Sequence, residues 1–186
     1  TVQEVCCSPE IIQVLALQDQ GATLTNEVPY TSAGTIFRTS GQFTDLQNLP
    51  FPVHFDGSSI VAGQNVYVSS LALQFVCCVY TPATTVTLMP QTINGTVTGV
   101  SSSGSYQIYN VTLASYNLFP TLAAQPLQTN TLNSPGTVVV YVDSSTQMFN
   151  STPLSVGSLL RFNGLIFDDS GTLRMACAQV NDGVAE

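Results

Sequence analysis

Short runs of alternating apolar and polar residues recur along the chain, and turn-forming residues separate them. A period of two is typical of a strand with one buried face, and Val, Thr, Tyr and Phe, which favour strands, are frequent in these runs. The pattern predicts seven strands, at residues 66–70, 84–88, 95–100, 106–113, 137–143, 159–164 and 173–180. Several short strands at this spacing indicate an all-β sandwich or barrel.

Pairs of residues that end in glycine mark turns between or beside these strands. Asn-Gly, Asp-Gly and Ser-Gly pairs favour tight turns, because glycine adopts positive φ without steric cost. They lie at Asp56-Gly57, Asn94-Gly95, Ser103-Gly104 and Asn163-Gly164, with Asp169-Ser170-Gly171 as a longer turn. Residues 119–135 contain three prolines and no strict periodicity, and we expect a long ordered loop there.

The segment between Ser8 and Gly21 fits two interpretations. A serine, a proline and a glutamate at its start, and a glycine at its end, are typical of helix boundaries. Ile11, Ile12 and Val14 are β-branched and favour a strand instead. The sequence leaves both a short N-terminal helix and a strand open.

An internal repeat relates the two halves of the chain. Gly63 and Gly157 each open an alternating apolar run, and in each half a valine follows 23 residues later, at Val86 and Val180. This spacing indicates two related β modules in tandem. The boundary between them should fall near residues 89–91, where one group of strands ends and the next begins.

Before Gly63 and Gly157, residues 53–56 align with residues 140–143 at an offset of 87. Gly63 and Gly157 themselves are 94 residues apart. We therefore expect a seven-residue insertion in the second copy, near residues 147–153. The N-terminal part of the chain does not align well with the second copy. We predict a first β module with an N-terminal extension at residues 1–90 and a second module at residues 91–186.

Three glycines have predicted backbone roles. A glycine before an alternating run suits a turn with positive φ or a tight entry into the strand, and we expect one of these at Gly63 and Gly157. Gly164 follows such a run and is expected to start a bulge that coils the strand around a small barrel.

Charge is scarce in this chain. Three arginines, Arg38, Arg161 and Arg174, and no lysine stand against eleven acidic residues among 186, which gives a net charge of −8. Charged residues make up 8% of the chain, against about 25% in a typical soluble domain. So few basic residues exclude a basic nucleic-acid surface and a polybasic membrane footprint, and the chain contains no apolar run of the roughly 18 residues that a membrane span needs.

The hydrophobic fraction of 44% is enough to build a core and argues against disorder. A surface rich in Thr, Ser, Asn and Gln is typical of an exported protein. We therefore expect an exported protein.

Five cysteines occur as Cys6-Cys7, Cys77-Cys78 and Cys177. A zinc site normally needs four Cys or His ligands at short recurrent spacings, which this arrangement lacks. Adjacent strand residues point to opposite faces, so one cysteine of each pair can face the other pair. We predict one disulfide between the Cys6-Cys7 pair and the Cys77-Cys78 pair, in an oxidising compartment. Cys177 is interpreted as a small core residue rather than a nucleophile.

The second module has a distinctive order of motifs. Gly95 opens a G-x-V strand, Asp143 ends a later strand in an Asp/Thr-bearing turn, and Gly157 and Gly164 lie in an L-x-x-G-x-x-V/L-x-V/F-x-G run before the last hairpin. This order resembles a family of small OB-like β-barrel domains of unknown function, found in exported bacterial envelope proteins and often in tandem. The resemblance covers about half of the chain and, more loosely, residues 41–88. It implies an all-β fold of two tandem OB-like, Greek-key barrels and a binding or structural role, with no catalytic residues to transfer. It also implies export, to the periplasm, to the outer membrane or out of the cell.

His54 is the chain's single histidine. Serine or cysteine nucleophiles normally need a histidine base with an acid behind it. Alternation in Val53-His54-Phe55 places His54 opposite its two apolar neighbours, so we expect a solvent-facing histidine and no catalytic role.

Four carboxylates are the next candidates for chemistry. Asp56 and Asp143 lie at equivalent places in the two modules, and Asp168 and Asp169 lie in a hairpin turn. Paired carboxylates hydrolyse glycosides when held roughly 5–10 Å apart. Turn aspartates mostly bond their own backbone, and the D-x-[DN]-x-[DN]-G pattern of a calcium loop is absent.

Tyr106, Tyr109, Tyr116 and Phe119 cluster before the long loop. Aromatic rings on an OB-like barrel can stack on saccharides, and these four are the candidate ligand-binding residues. The alternative is that they fill the core and rims of the barrels.

The sequence thus favours a non-enzymatic exported protein that acts as a structural or interaction module of the cell envelope, with an envelope protein as its partner. The rival hypothesis is a barrel that captures a neutral saccharide or peptide, and a weaker one is a carboxylate-dependent glycosidase. No catalytic residue, cofactor or metal is implied, and neither nucleic acid nor direct membrane insertion is expected.

Overall fold

The fold is described from a computed structural model, which covers residues 2–6, 11–14, 31–41, 46–61, 63–70, 82–114 and 136–184. These residues form an all-β structure without a helix. Its strands are β1 (Val2–Cys6), β2 (Ile11–Val14), β3 (Ile36–Thr39), β4 (Val66–Ser70), β5 (Ala83–Leu88), β6 (Gln91–Ser103), β7 (Tyr106–Leu113), β8 (Thr137–Val142), β9 (Gln147–Met148), β10 (Leu159–Asp169) and β11 (Thr172–Asp182).

Five strands close into a barrel in the order β6-β7-β8-β11-β10, and β10 pairs back onto β6. Neighbouring strands are antiparallel except β8 and β11, which run parallel. The two-residue strand β9 adds in parallel to the far end of β11. Closure removes the sheet edges that an open sheet would expose.

Alternation along the barrel strands fills the interior with apolar side chains. In β8, for example, Val138, Val140 and Val142 point inward. The barrel core consists of Ile93, Val97, Tyr109, Val111, Leu113, Val138, Val140, Val142, Leu160, Phe162, Ile166, Met175, Cys177 and Val180. Barrel diameter grows with the number of strands, and about eight strands enclose an interior that side chains just fill, so a five-stranded barrel is narrower still.

A second core lies on the outside of the barrel. The three-stranded sheet β3-β5-β4 and the segment 46–60 pack there against outward-facing residues of β7, β8, β10 and β11. This outer core contains Phe51, Ile60, Val66, Ala83, Val86, Leu88, Tyr106, Tyr141, Leu165, Phe167 and Ala176. Strand β8 serves both cores, because Tyr141 points outward between two inward valines.

All seven predicted strands are present, with longer bounds for several. Strand β6 begins at Gln91 rather than 95, and β10 continues to Asp169 rather than ending at 164. Strands β1, β3 and β9 were not predicted. Strands β3 and β9 are short and join their sheets as parallel edges, a pairing that local alternation does not signal. The loop predicted at 119–135 lies outside the described residues.

The choice left open for the N-terminal segment is settled for four residues. Ile11–Val14 forms strand β2, so the helix alternative is wrong there, in keeping with the β-branched side chains at three of these positions. The rest of residues 8–21 lies outside the described part of the chain.

The predicted glycine roles are confirmed. Gly63 and Gly157 have φ of 97° and 92°, the region that favours glycine. The register between β10 and β11 shifts between Asn163 and Gly164, which is the predicted bulge. A Cβ on Gly164 would lie 2.0 Å from the carbonyl oxygen of Ala176, so the close approach of the two strands requires glycine there.

Candidate functional site

Asp56 folds a turn by accepting hydrogen bonds from its own loop. Its Oδ1 accepts from the backbone N–H of Ser58 at 2.9 Å and from the Ser58 hydroxyl at 2.7 Å, and the Asp56 N–H donates to the hydroxyl of Ser59 at 2.8 Å. The Ser58 hydroxyl bond lowers the pKa of the Asp56 carboxyl. The carboxylate therefore organises the backbone of its turn.

Asp143 builds the same turn in the second half of the chain. Its Oδ1 accepts from the N–H and the hydroxyl of Ser145 at 2.8 and 2.6 Å, and its N–H donates to Thr146 Oγ1 at 3.1 Å. The Thr146 hydroxyl in turn donates to the carbonyl of Cys177 at 2.9 Å, which ties the turn to β11. The equivalence of Asp56 and Asp143 predicted from the sequence thus extends to their hydrogen-bond patterns.

The Asp168-Asp169 pair closes the β10–β11 hairpin. Ser170 and Gly171 form its two-residue loop with φ of 52° and 87°, the signs of a type I′ turn. Asp168 Oδ1 accepts from the Gly171 N–H at 3.0 Å, and Asp169 Oδ2 lies 2.7 Å from Nε of Arg174. Each carboxylate is therefore engaged in holding the hairpin.

Arg174 joins the hairpin to the outer core. Its guanidinium carbon lies 5.5 Å from the ring centroid of Phe51 and 5.9 Å from that of Tyr141, and its Nη1 bonds the Tyr141 hydroxyl. Together with the Asp169 ion pair, this places a cation against two aromatic faces at the boundary of the barrel and the segment 46–60.

Asp182 is a structural carboxylate that the sequence did not reveal. It accepts hydrogen bonds from the N–H and hydroxyl of Ser151 at 3.0 and 2.7 Å and from the Thr152 N–H at 2.7 Å. The Ser151 hydroxyl bond is the main reason that the pKa of Asp182 falls well below its ordinary value. The partners lie about 30 residues apart in sequence, so only the folded chain brings them together.

Asp182 anchors a segment, residues 147–156, that carries exposed apolar side chains. The Phe149 N–H donates to the Val180 carbonyl at 2.8 Å, which fixes the other end of the segment on β11. Met148, Phe149 and Val156 are nonetheless 51%, 61% and 64% exposed. This segment contains the region where we expected an insertion in the second copy. It is the candidate contact surface of the second half of the chain.

The predicted aromatic site is not assembled as one surface in the described residues. Tyr109 is buried in the barrel core with its ring centroid 6.4 Å from that of Phe162, and burial raises the pKa of its phenol. Tyr106 is buried in the outer core, 6.3 Å from the ring of Tyr141. Tyr116 and Phe119 lie outside the described residues, so a ligand role for them stays a prediction.

His54 faces solvent, as predicted from alternation. It is exposed, whereas Val53 and Phe55 are partly buried and pack against the outer core.

Cys177 is buried in the barrel core, and burial raises the pKa of its thiol to about 12. A thiol in this state is not a nucleophile at neutral pH, in agreement with its predicted role as a core residue. The predicted disulfide cannot be located: Cys7, Cys77 and Cys78 lie outside the described residues, and for Cys6 only the backbone is described.

The described ranges contain no group of three or more His, Cys, Asp or Glu side chains that could hold a metal ion. They also contain no helix long and apolar enough to cross a membrane. The chain matches no protein-family model, no curated protein and no solved structure.

Proposed function

We propose that the chain is a non-enzymatic structural or interaction module of an exported protein of the cell envelope. The observation that carries this proposal is the filled barrel. Phe162, Leu160 and Met175 have no exposed surface, and Tyr109 lies among them. A barrel packed in this way is a scaffold whose outer surface is left for contacts.

The carboxylates support a structural role. Asp56 and Asp143 each bond their own turn, Asp168 and Asp169 hold the β10–β11 hairpin, and Asp182 anchors the segment 147–156. A glycosidase needs one carboxyl group free to protonate the leaving group and a second free to attack or to activate water. Here these carboxylates accept hydrogen bonds from backbone N–H and hydroxyl groups of the fold, and Asp169 forms an ion pair with Arg174.

We further propose that the chain consists of two tandem copies of one OB-like unit. The β4–β5 and β10–β11 pairs have the same register at an offset of 94, with Val68 opposite Val86 and Phe162 opposite Val180. The register then shifts at equivalent places, between Ser69 and Ser70 in the first pair and between Asn163 and Gly164 in the second. The matching aspartate turns and the positive φ of Gly63 and Gly157 support the same duplication.

The strand order supports the OB-like part of this proposal. An OB-fold is a five-stranded Greek-key barrel. Here the hairpin β6–β7 continues to β8, and the chain then crosses so that β11 inserts between β8 and β10.

The contact surface of this module would be the segment 147–156. Its three exposed apolar side chains are held in place by the bonds to Asp182 and Val180. Contact with a protein partner would bury these side chains, as at the apolar centre of other interfaces. The scarcity of charge on the chain fits recognition by packing and neutral hydrogen bonds.

A glycan array with the purified full chain tests the proposal against its main rival. We expect no selective, saturable retention of any neutral saccharide above the level of an unrelated all-β control protein. Selective retention that is lost in a Tyr116→Ala or Phe119→Ala variant would overturn the structural role in favour of saccharide capture.

Cell fractionation of the producing organism tests the envelope location independently. Antibody against the purified chain should detect it in the periplasmic, outer-membrane or extracellular fraction. Detection in the cytosolic fraction alone would contradict the envelope role.

A further inference from the structure

The N-terminal hairpin β1–β2 has the backbone pairing of the barrel hairpin β6–β7. In each hairpin a valine pair is followed by a register shift, and the next pair begins two residues along the first strand but one residue along the second. The pairs are Val2 with Val14 and then Glu4 with Gln13 in the first hairpin, and Val97 with Val111 and then Gly99 with Asn110 in the second. Val2 is therefore the counterpart of Val97, although the surrounding sequences align poorly.

Val97 is the residue that joins the β6–β7 hairpin to the start of β10. Its N–H donates to the carbonyl of Ser158 at 2.9 Å, and its carbonyl accepts from the N–H of Gly157 at 2.8 Å. Between Val97 and the start of β6, the strand pairs with β10 as far as Gln91, which lies opposite Gly164.

Gly63 and Gln64 form before β4 the same turn that Gly157 and Ser158 form before β10. Gly63 has positive φ like Gly157, and the Gln64 N–H donates to the carbonyl three residues earlier, as the Ser158 N–H does. The next residue, Asn65, accepts a hydrogen bond at its carbonyl from the N–H of Met89, just after β5. In the same way, the Leu159 carbonyl accepts from the N–H of Gly183, just after β11.

This turn is held rigidly against the barrel. The Gln64 side chain has no exposed surface; its Oε1 accepts from the Val61 N–H at 2.9 Å, and its Nε2 donates to the Ile166 carbonyl at 3.0 Å. Gly63 is buried as well. Within the described ranges, however, β4 pairs with β5 alone and β1 pairs with β2 alone. A strand edge that is left open invites pairing with another strand.

We propose that the hairpin β1–β2 docks on the start of β4, with Val2 opposite Gly63 and Gln64. The Val2 N–H donates to the Gln64 carbonyl, and the Gly63 N–H donates to the Val2 carbonyl. The partner of this edge is thus a segment of the same chain. This inference rests on the tandem arrangement proposed above.

Nuclear magnetic resonance of the full chain tests the docking directly. We expect cross-strand nuclear Overhauser contacts between Val2 and the Gly63-Gln64 pair, and exchange of the Gly63 amide slowed by about 100-fold relative to a free amide. The Gly157 amide, which already donates to Val97, serves as the internal reference. Fast exchange at Gly63 without contacts to Val2 would overturn the docking.

A pair of variants identifies Val2 as the occupant. Val2→Pro removes the donated N–H, and the Gly63 amide should then exchange at least about tenfold faster than in the parent chain. Val2→Ala keeps the N–H and should leave that amide protected. Equal protection of Gly63 in both variants would show that another segment covers the edge and would overturn the proposal. Neither outcome depends on the glycan array or the fractionation that test the proposed function.

Discussion

Asp56 and Asp143 show how the few charges of this chain are used. Each is surrounded by the N–H and hydroxyl groups of its own turn. The preference of aspartate for such turns could be read from the sequence, because it depends on neighbours two and three residues away. The hydrogen bonds from Ser151 and Thr152 to Asp182 could not be predicted from the sequence, because they join segments about 30 residues apart.

Replacing Asp143 with alanine removes both acceptor contacts to Ser145 while leaving the strands intact. We expect Asp143→Ala to lower the free energy of unfolding by about 1 kcal/mol, the usual cost of losing a capping carboxylate. Urea denaturation followed by circular dichroism measures this. Ser144→Ala, at an exposed position in the same turn, is the matched control, and an equal loss in both variants would contradict the role of the carboxylate.

Acid should destabilise the chain through Asp56 and Asp182. Both carboxyl pKa values lie below the ordinary value of 3.8 in the folded chain. Their charged forms therefore contribute stability that is present above about pH 4 and is lost as the pH falls through the folded-state pKa values. Urea midpoints between about pH 7 and pH 2.5 measure the loss. The drop should be smaller in Asp182→Asn, and an unchanged drop would contradict the prediction.

The bulge at Gly164 leaves no room for a side chain. A Cβ there would meet the backbone of Ala176 and Cys177 rather than a flexible side chain. Gly164→Ala should lower the free energy of unfolding by about 3 kcal/mol, because strand β10 or β11 must shift. Gly41→Ala, at a position with open space, should change it little. A thermal melt of both variants compares them, and similar melting temperatures would contradict this role.

At the level of elements, alternation predicted the strands but not the neighbours they acquire. Tyr106 and Tyr109 lie on one strand, yet they enter different cores, because the two faces of β7 both become covered. One face forms the barrel interior, and the three-stranded sheet packs on the other side. A sequence pattern marks the apolar positions of a strand but not the layer that each one joins, which is why the sequence did not show that these two tyrosines enter separate cores.

Edge strand β3 should be the point where trypsin first cuts the native chain. Arg38 is exposed on this strand, which pairs only with β5 among the described strands. Arg161 and Arg174 lie in barrel strands, and both side chains are hydrogen-bonded.

Limited digestion should therefore yield fragments of residues 1–38 and 39–186 by mass spectrometry, and Arg38→Gln should remain intact under the same conditions. A first cut after Arg161 or Arg174 would show that the barrel opens before the sheet edge does.

At the level of the whole molecule, the repeat was the most informative signal in the sequence. The glycine spacing led to Gly63 and Gly157, and the structure places both in the left-handed region. The register that β1–β2 shares with β6–β7 was not found from the sequence, because it lies in backbone pairing rather than in residue types. Register is set by long-range pairing and leaves little trace in composition.

The shared strand β8 should make the two cores unfold together. Val140 and Val142 pack inside the barrel, while Tyr141 packs outside, with its ring 4.8 Å from that of Phe51. Differential scanning calorimetry should show one transition whose calorimetric and van't Hoff enthalpies agree. Two resolved transitions would contradict this coupling.

The position of β11 also has a consequence for how the chain is made. This last strand pairs with β8, β9 and β10, so the barrel cannot close until residues 172–182 have left the ribosome. Until then the inward faces of β6, β7 and β8 remain uncovered, and the nascent chain is an unfinished sheet. The barrel therefore closes in one late step that joins β11 to β8 and β10, rather than strand by strand as the chain emerges.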